Sequence, residues 1–211
     1  MSAKQKKAYE QMRDKMIARL DDGVIFTKSP LTQMGRMLQF ASAYGTVEEY
    51  EVMDPDSPIP GVMKTEQRLV LSDPSCKIDA FMDDLPDYGD ESLVVFASSK
   101  QLINLLSARL EKANIAHGLI TGDQDSQERQ AYMDAFQEGR LPIILSTIQA
   151  GGTGITLTRA RIMIFLQRSW SMIDNLQAEA RAHRIGSEVH DNVQIIDYVT
   201  KDSVVGGGLV G

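Results

Sequence analysis

The sequence predicts an α/β fold, a mostly parallel sheet flanked by helices, with an N-terminal helical extension ahead of it. Three observations predict it. From residue 91 onward short apolar runs alternate with helical patterns, which is how βαβ units read in sequence. Those runs are apolar throughout rather than alternating, as strands buried on both faces are. Ahead of residue 91 the texture differs: two helical patterns come first, then a stretch punctuated by proline and glycine.

Residues 3–20 are rich in strong helix formers and place Tyr9, Met12, Met16 and Leu20 at helical spacing, so an amphipathic helix is expected there, stopped by Asp21-Asp22-Gly23. After Pro30 a second helix carries Leu31, Met34, Met37, Leu38 and Ala41 on one face and ends near Tyr44-Gly45. Pro55, Pro58, Pro60 and Gly61 make residues 46–67 a turn-rich excursion. A third helix spans 75–85. The alternating part then gives strands at 93–96, 116–120, 141–145, 161–166 and 193–199, with helices at 100–113, 126–139 and 172–185. Gly206-Gly207-Gly208 marks residues 201–211 as a flexible tail.

Composition narrows the classes. With 43% hydrophobic and 24% charged residues the chain can bury one main core. No apolar run reaches the roughly 20 residues that span a bilayer. Lys4, Lys6, Lys7 and Glu10 stand where a signal peptide would be apolar. A soluble intracellular protein, cytoplasmic or nuclear and without a membrane partner, is the expectation. The single cysteine, Cys76, forms neither an internal disulfide nor a multi-thiolate metal site and is expected to be a small apolar filler. A formal net charge of −7 restricts any nucleic-acid contact to a local basic patch. Arg159, Arg161, Arg168, Arg181 and Arg184 gather in the C-terminal third, and acidic residues cluster between Asp79 and Glu91.

In open α/β sheets ligands sit beyond the carboxyl ends of the strands, so the loops after Phe96, Ile120, Leu145 and Leu166 are where chemistry is sought. Ser98, Ser99 and Lys100 put hydroxyls and a cation at a helix start, which suits a phosphate; an ordinary N-cap is the plainer reading. Thr121-Gly122-Asp123 makes a turn. After Leu145, Gly151, Gly152 and Gly154 let backbone amides approach a ligand, and Thr147 can donate to a phosphate. A dinucleotide-binding loop is discounted, because residues 155–158 are largely β-branched where that loop needs a helix. The sharpest pattern is QAEARAHRIG at 177–186: Gln177, Arg181 and Arg184, spaced i, i+4, i+7, share one helix face. Two guanidiniums side by side call for an anion. A solvated face paired with Glu179 or Glu188 and a clamp on a transferring γ-phosphoryl are both open on spacing alone.

QAEARAHRIG, preceded by LSTIQAGGTGITLT and by the lone tryptophan in RSWSMIDN, resembles motifs V and VI of Swi/Snf-type members of helicase superfamily two. VVFASSKQLINLL resembles the family's motif IV, and LITGDQDSQERQAYMDAFQEG the strand, loop and helix that follow it. SAKQKKAYEQM and PLTQMGRMLQFAS resemble the helices joining the family's two lobes, so nearly the whole chain is covered. Ala180, Thr156 and Ser187 stand where the family usually has aspartate, asparagine and glutamine.

The resemblance implies a RecA-like C-terminal lobe at 91–200, an interlobe helical extension with its excursion at 1–90, and a motor in which ATP lies between two lobes while double-stranded DNA crosses both. It implies arginine fingers at Arg181 and Arg184, a nucleotide site ordered by Gln177 with Gly154 near the cleft, and a DNA path lined by Ser98, Lys100, Gly122, Thr147, Gly151 and Gly152. Trp170 would lie near that path; a core aromatic is the alternative. His183 is read as a packing residue, not a metal ligand. No Gly-Lys dipeptide is present for a phosphate-cradling loop, and Asp90-Glu91 precedes an apolar run instead of following one. ATP and Mg²⁺ would therefore be held mainly by the partner N-terminal lobe, on the rest of a longer polypeptide or on a separate chain, and this chain alone is expected to be inactive. The rival readings are a non-catalytic nucleic-acid or protein-binding module and an RNA helicase lobe, whose usual His-Arg-x-Gly-Arg pattern is absent.

Overall fold

The computed structural model describes residues 1–55, 57–59, 61–150, 157–180 and 192–203. The chain forms two compact units, one built on Met1–Cys76 and the other on Lys77–Thr200.

In the first unit α1 (Ala3–Lys15) starts where the Ser2 hydroxyl accepts from the Gln5 amide, and it buries Gln5, Ala8, Tyr9 and Met12, one helical stripe. The expected helix over 3–20 is cut short. Met16 takes a left-handed conformation, φ 57°, as C-cap, and residues 17–19 leave as β1 (Ile17–Arg19), antiparallel to β2 (Val24–Phe26) around the Asp21-Asp22-Gly23 turn. α2 (Pro30–Ser42) has Ser29 as N-cap and Pro30 in its first turn. Its buried face is Met37, Phe40, Ala41 and Ser42; Leu31 and Met34, assigned to the apolar face, are exposed.

The turn-rich excursion expected over 46–67 is a hairpin. β3 (Tyr44–Met53) pairs antiparallel with β4 (Met63–Ser72) over ten residues each, and Pro55 and Pro58 fall in the connection at its tip. A Cβ on Gly45, at the base, would sit 2.9 Å from the Val70 carbonyl oxygen, so the close approach there requires glycine. The Cys76 thiol accepts from Gln5 Nε2 at 3.2 Å and donates to the Ala41 carbonyl at 3.5 Å, a bonded group rather than a plain apolar filler.

The second unit opens with α3 (Cys76–Asp84), followed by β5 (Leu93–Ala97), α4 (Lys100–Lys112), β6 (His117–Ile120), α5 (Ser126–Gln137), β7 (Ile143–Thr147), β8 (Ile162–Phe165), α6 (Met172–Glu179) and β9 (Gln194–Asp197). The strands form one parallel sheet in the order β6-β7-β5-β8-β9. This is the predicted α/β architecture. The three central strands, β7, β5 and β8, are buried at every position, which is why their sequences are apolar without alternation. Phe96 and Phe165 stack at 5.2 Å in a core shared with Val94, Ile144, Met163 and Phe136.

The chain leaves β5 toward β6 on one side and leaves β8 toward β9 on the other. A switch point therefore lies between β5 and β8, where loops diverge and a crevice opens at the carboxyl edge. Among the described residues no helix is long and apolar enough to cross a membrane.

Candidate nucleotide and nucleic-acid site

The loops at this edge are tied across the switch point. Gln167, buried just beyond β8, accepts with Oε1 from the Ser98 hydroxyl at 3.2 Å and from the Ser99 amide at 3.1 Å. Ser99, not Ser98, is the N-cap of α4, its hydroxyl accepting from the Leu102 amide. The plain N-cap reading thus holds for Ser99, while Ser98 braces the two loops.

Lys100 pairs with Asp123 across the loop after β6, and both side chains are exposed. An exposed pair of this kind contributes about 0–1 kcal/mol, little enough for a phosphate to displace the carboxylate. Beside it, a Cβ on Gly122 would meet nothing within 4 Å, so its backbone is open to approach from outside. Thr121 is buried and closes this loop, its amide and hydroxyl both donating to Gln124 Oε1 at 2.7 and 2.8 Å. Asp125 then starts α5 in a reciprocal capping box with Glu128.

Thr147, at the end of β7, is buried, and its hydroxyl oxygen accepts from the Ala150 amide at 3.3 Å, closing the turn that leads into the glycines. A hydroxyl can also donate one hydrogen bond. Gly151, Gly152 and Gly154 lie outside the described residues, as do Arg181, Arg184 and His183.

Trp170 is 65% exposed, which overturns the core-aromatic alternative. Its loop is nevertheless rigidly built. The Ser169 amide donates to Asn175 Oδ1 at 2.8 Å, Asn175 Nδ2 donates back to the Ser169 carbonyl at 2.9 Å, and the Ser171 hydroxyl accepts from the Asp174 amide as N-cap of α6. α6 covers the described part of the helix expected over 172–185 and presents Gln177 to solvent.

In the sequence Arg168 stands out only as one of five clustered arginines. Its Nε and Nη2 donate to the two oxygens of Asp197 at 2.7 and 2.8 Å, Nη1 donates to Glu179, and the guanidinium lies 4.0 Å from the Phe165 ring centroid. The hydrogen bond to Asp197 raises its pKa above the ordinary arginine value, burial opposes this, and Glu179 adds to the rise. Glu179, one counter-ion considered for the arginine pair, already has a cation. Nor do the three described arginines of that group form one patch. Arg161 pairs with Glu91 at 3.6 Å and Arg159 donates to Ser92 at 3.1 Å, so both sit by the amino ends of β5 and β8, opposite the loops described above.

Residues 76–186 match the family described as helicase conserved C-terminal domain. The chain belongs to that family. The helicase C-terminal domain here is 31% identical over 143 residues to the DNA repair protein RAD5 of Gibberella zeae, covering 65% of this chain and 12% of that protein. It is 25% identical over 207 residues to the ISWI chromatin-remodeling complex ATPase ISW1 of Saccharomyces cerevisiae, covering 97% of this chain and 18% of that protein. Among solved structures, the C-terminal part of the Fun30 ATPase domain superposes with a TM-score of 0.56 at 31% identity, covering 61% of this chain and 42% of that one. The expected RecA-like fold and the resemblance to the second lobe of Swi/Snf-type enzymes are thereby shown. The chain spans less than a fifth of the length of these two curated relatives.

Proposed function

We propose that this domain is the second lobe of an ATP-driven translocase on double-stranded DNA, and that it completes an ATP site formed mainly by a first lobe. Arg181 and Arg184 act as arginine fingers, with Arg184 on the γ-phosphoryl group. Charge spreads over the equatorial oxygens of that group in the transition state, and a guanidinium held there contributes about 10³ to 10⁵ in turnover. Gln177 orders the nucleotide on the same helix face, and Gly154 lies by the cleft. The DNA backbone runs along Ser98, Lys100, Gly122, Thr147, Gly151 and Gly152, with Trp170 beside it.

The observation that carries this reading is the carboxyl edge of the sheet. There Lys100 and the exposed Trp170 follow loops braced by Gln167 and Asn175, the open Gly122 backbone lies in a loop closed by Gln124, and the Thr147 hydroxyl stands at the end of β7. Groups that bind phosphate without rearranging need such bracing. Among the described residues there is no group of three His, Cys, Asp or Glu side chains able to hold a metal, and in this reading the protein ligands of Mg²⁺ come from the first lobe.

The test is ATP turnover with and without duplex DNA, for this chain alone and joined to a Swi/Snf-type first lobe. The chain alone is expected to be silent and the joined protein to show DNA-stimulated turnover. A joined, folded protein that never hydrolyses ATP sinks the proposal and favours a non-catalytic binding module.

A further inference from the structure

We infer that Arg168 is the positioning residue of α6, the helix that carries Gln177 and precedes the arginine pair in sequence, a role that rests on the function proposed above. α6 is lightly packed for a helix that must aim side chains at a ligand. Ala178 is its one buried residue, and Met172, Ile173 and Leu176 are exposed. A single buried methyl group leaves the rotation of a helix about its own axis poorly determined. Polar ties must therefore set it.

The structure provides one tie at each end of α6. At the start, Ser169 and Asn175 exchange hydrogen bonds and Ser171 caps the helix. At the end, Glu179 is held by Arg168. Arg168 is itself fixed on three sides: a two-bonded fork to Asp197 on β9, the bond to Glu179, and the ring of Phe165 on β8 beneath it. Its side chain is 27% exposed and that of Glu179 24%, so this is not a loose surface pair. The planar fork satisfies two carboxylates and a ring face at once, which a lysine ammonium does not.

Glu179 lies two residues after Gln177 and two before Arg181. A rotation of α6 that Arg168 prevents at Glu179 is prevented equally at Gln177, the group assigned to the nucleotide that this helix carries. A misplacement of about 1 Å at a reacting centre can cost about 100-fold in rate. The loss falls on transition-state contacts, so it should appear in kcat and not in KM for ATP.

The variant to make is Glu179→Gln, which cuts the tie to α6 and leaves the Arg168–Asp197 fork and the Phe165 contact in place. Two readouts are taken. In this chain alone, hydrogen exchange is followed at the α6 amides, with β5, β7 and β8 as internal reference. In the two-lobe protein, kcat and KM are measured beside Arg184→Ala. The expected result is faster exchange confined to α6, and kcat lower by about 10-fold to 100-fold with KM unchanged. Arg168→Ala should reproduce both effects with a lowered melting temperature, since it also removes the tie to β9. Unchanged α6 exchange overturns the positioning role. So does unchanged kcat in Glu179→Gln when Arg184→Ala abolishes turnover. If Arg184→Ala leaves turnover intact, the proposed function fails instead, and the exchange data still decide what Arg168 does.

Discussion

Trp170 separates two accounts at the scale of the residue. A core aromatic truncated to alanine costs about 3–5 kcal/mol, whereas an exposed side chain away from packing and caps changes stability by about 0.5 kcal/mol or less. At 65% exposure Trp170 belongs to the second class. Trp170→Ala is expected to leave the urea-unfolding free energy of this chain within that small margin while lowering the DNA stimulation of a two-lobe protein. Loss of several kcal/mol would return Trp170 to the core. Lys100 and Gly122 follow the same logic. Each stands at the carboxyl edge in a form that costs little to redirect, a weak exposed ion pair in one case and an open glycine backbone in the other.

Individual elements explain what was legible in the sequence and what was not. The parallel sheet was legible because β5, β7 and β8 are buried on both faces and so are apolar at every step. The β3–β4 hairpin was hidden by Pro55, Pro58 and Pro60, which made the whole stretch look turn-like although Pro55 and Pro58 stand in the connection between the strands; the β-branched and aromatic Thr46, Val47, Tyr50 and Val52 were the signal available. β1 and β2, three residues each, are too short to show a period. The loops of the site could be found from the rule that ligands gather beyond strand ends. Arg168 could not, because its partners lie 11 and 29 residues away and meet it only in the folded sheet. The start of α5 at Ser126 was legible, but its capping box, Asp125 with Glu128, was not singled out although it has the required spacing of three. Asp125→Ala is expected to lower the unfolding free energy by about 1 kcal/mol, measured by urea denaturation. A change of less than about 0.3 kcal/mol would mean that the box does not hold α5.

On the scale of the whole molecule, an acidic chain with a net charge of −7 can serve a DNA motor only if its contacts are local. The sheet topology supplies that locality, since parallel strands deliver four loops to one edge while Arg159 and Arg161 stay at the other. What this edge and α6 are proposed to do depends on a second body. The relatives are several times longer than this chain, and its sequence holds no Gly-Lys dipeptide for a phosphate-cradling loop. The central claim is that Arg184 reaches across to a nucleotide held by another lobe. It is tested most directly by DNA-stimulated ATP turnover of the two-lobe protein, comparing wild type with Arg184→Ala at equal DNA occupancy. The account predicts that turnover falls by about 10³-fold or more while the variant remains folded and DNA-bound. Turnover within a few-fold of wild type would contradict it, leaving the helicase fold in place and the arginine without its proposed role.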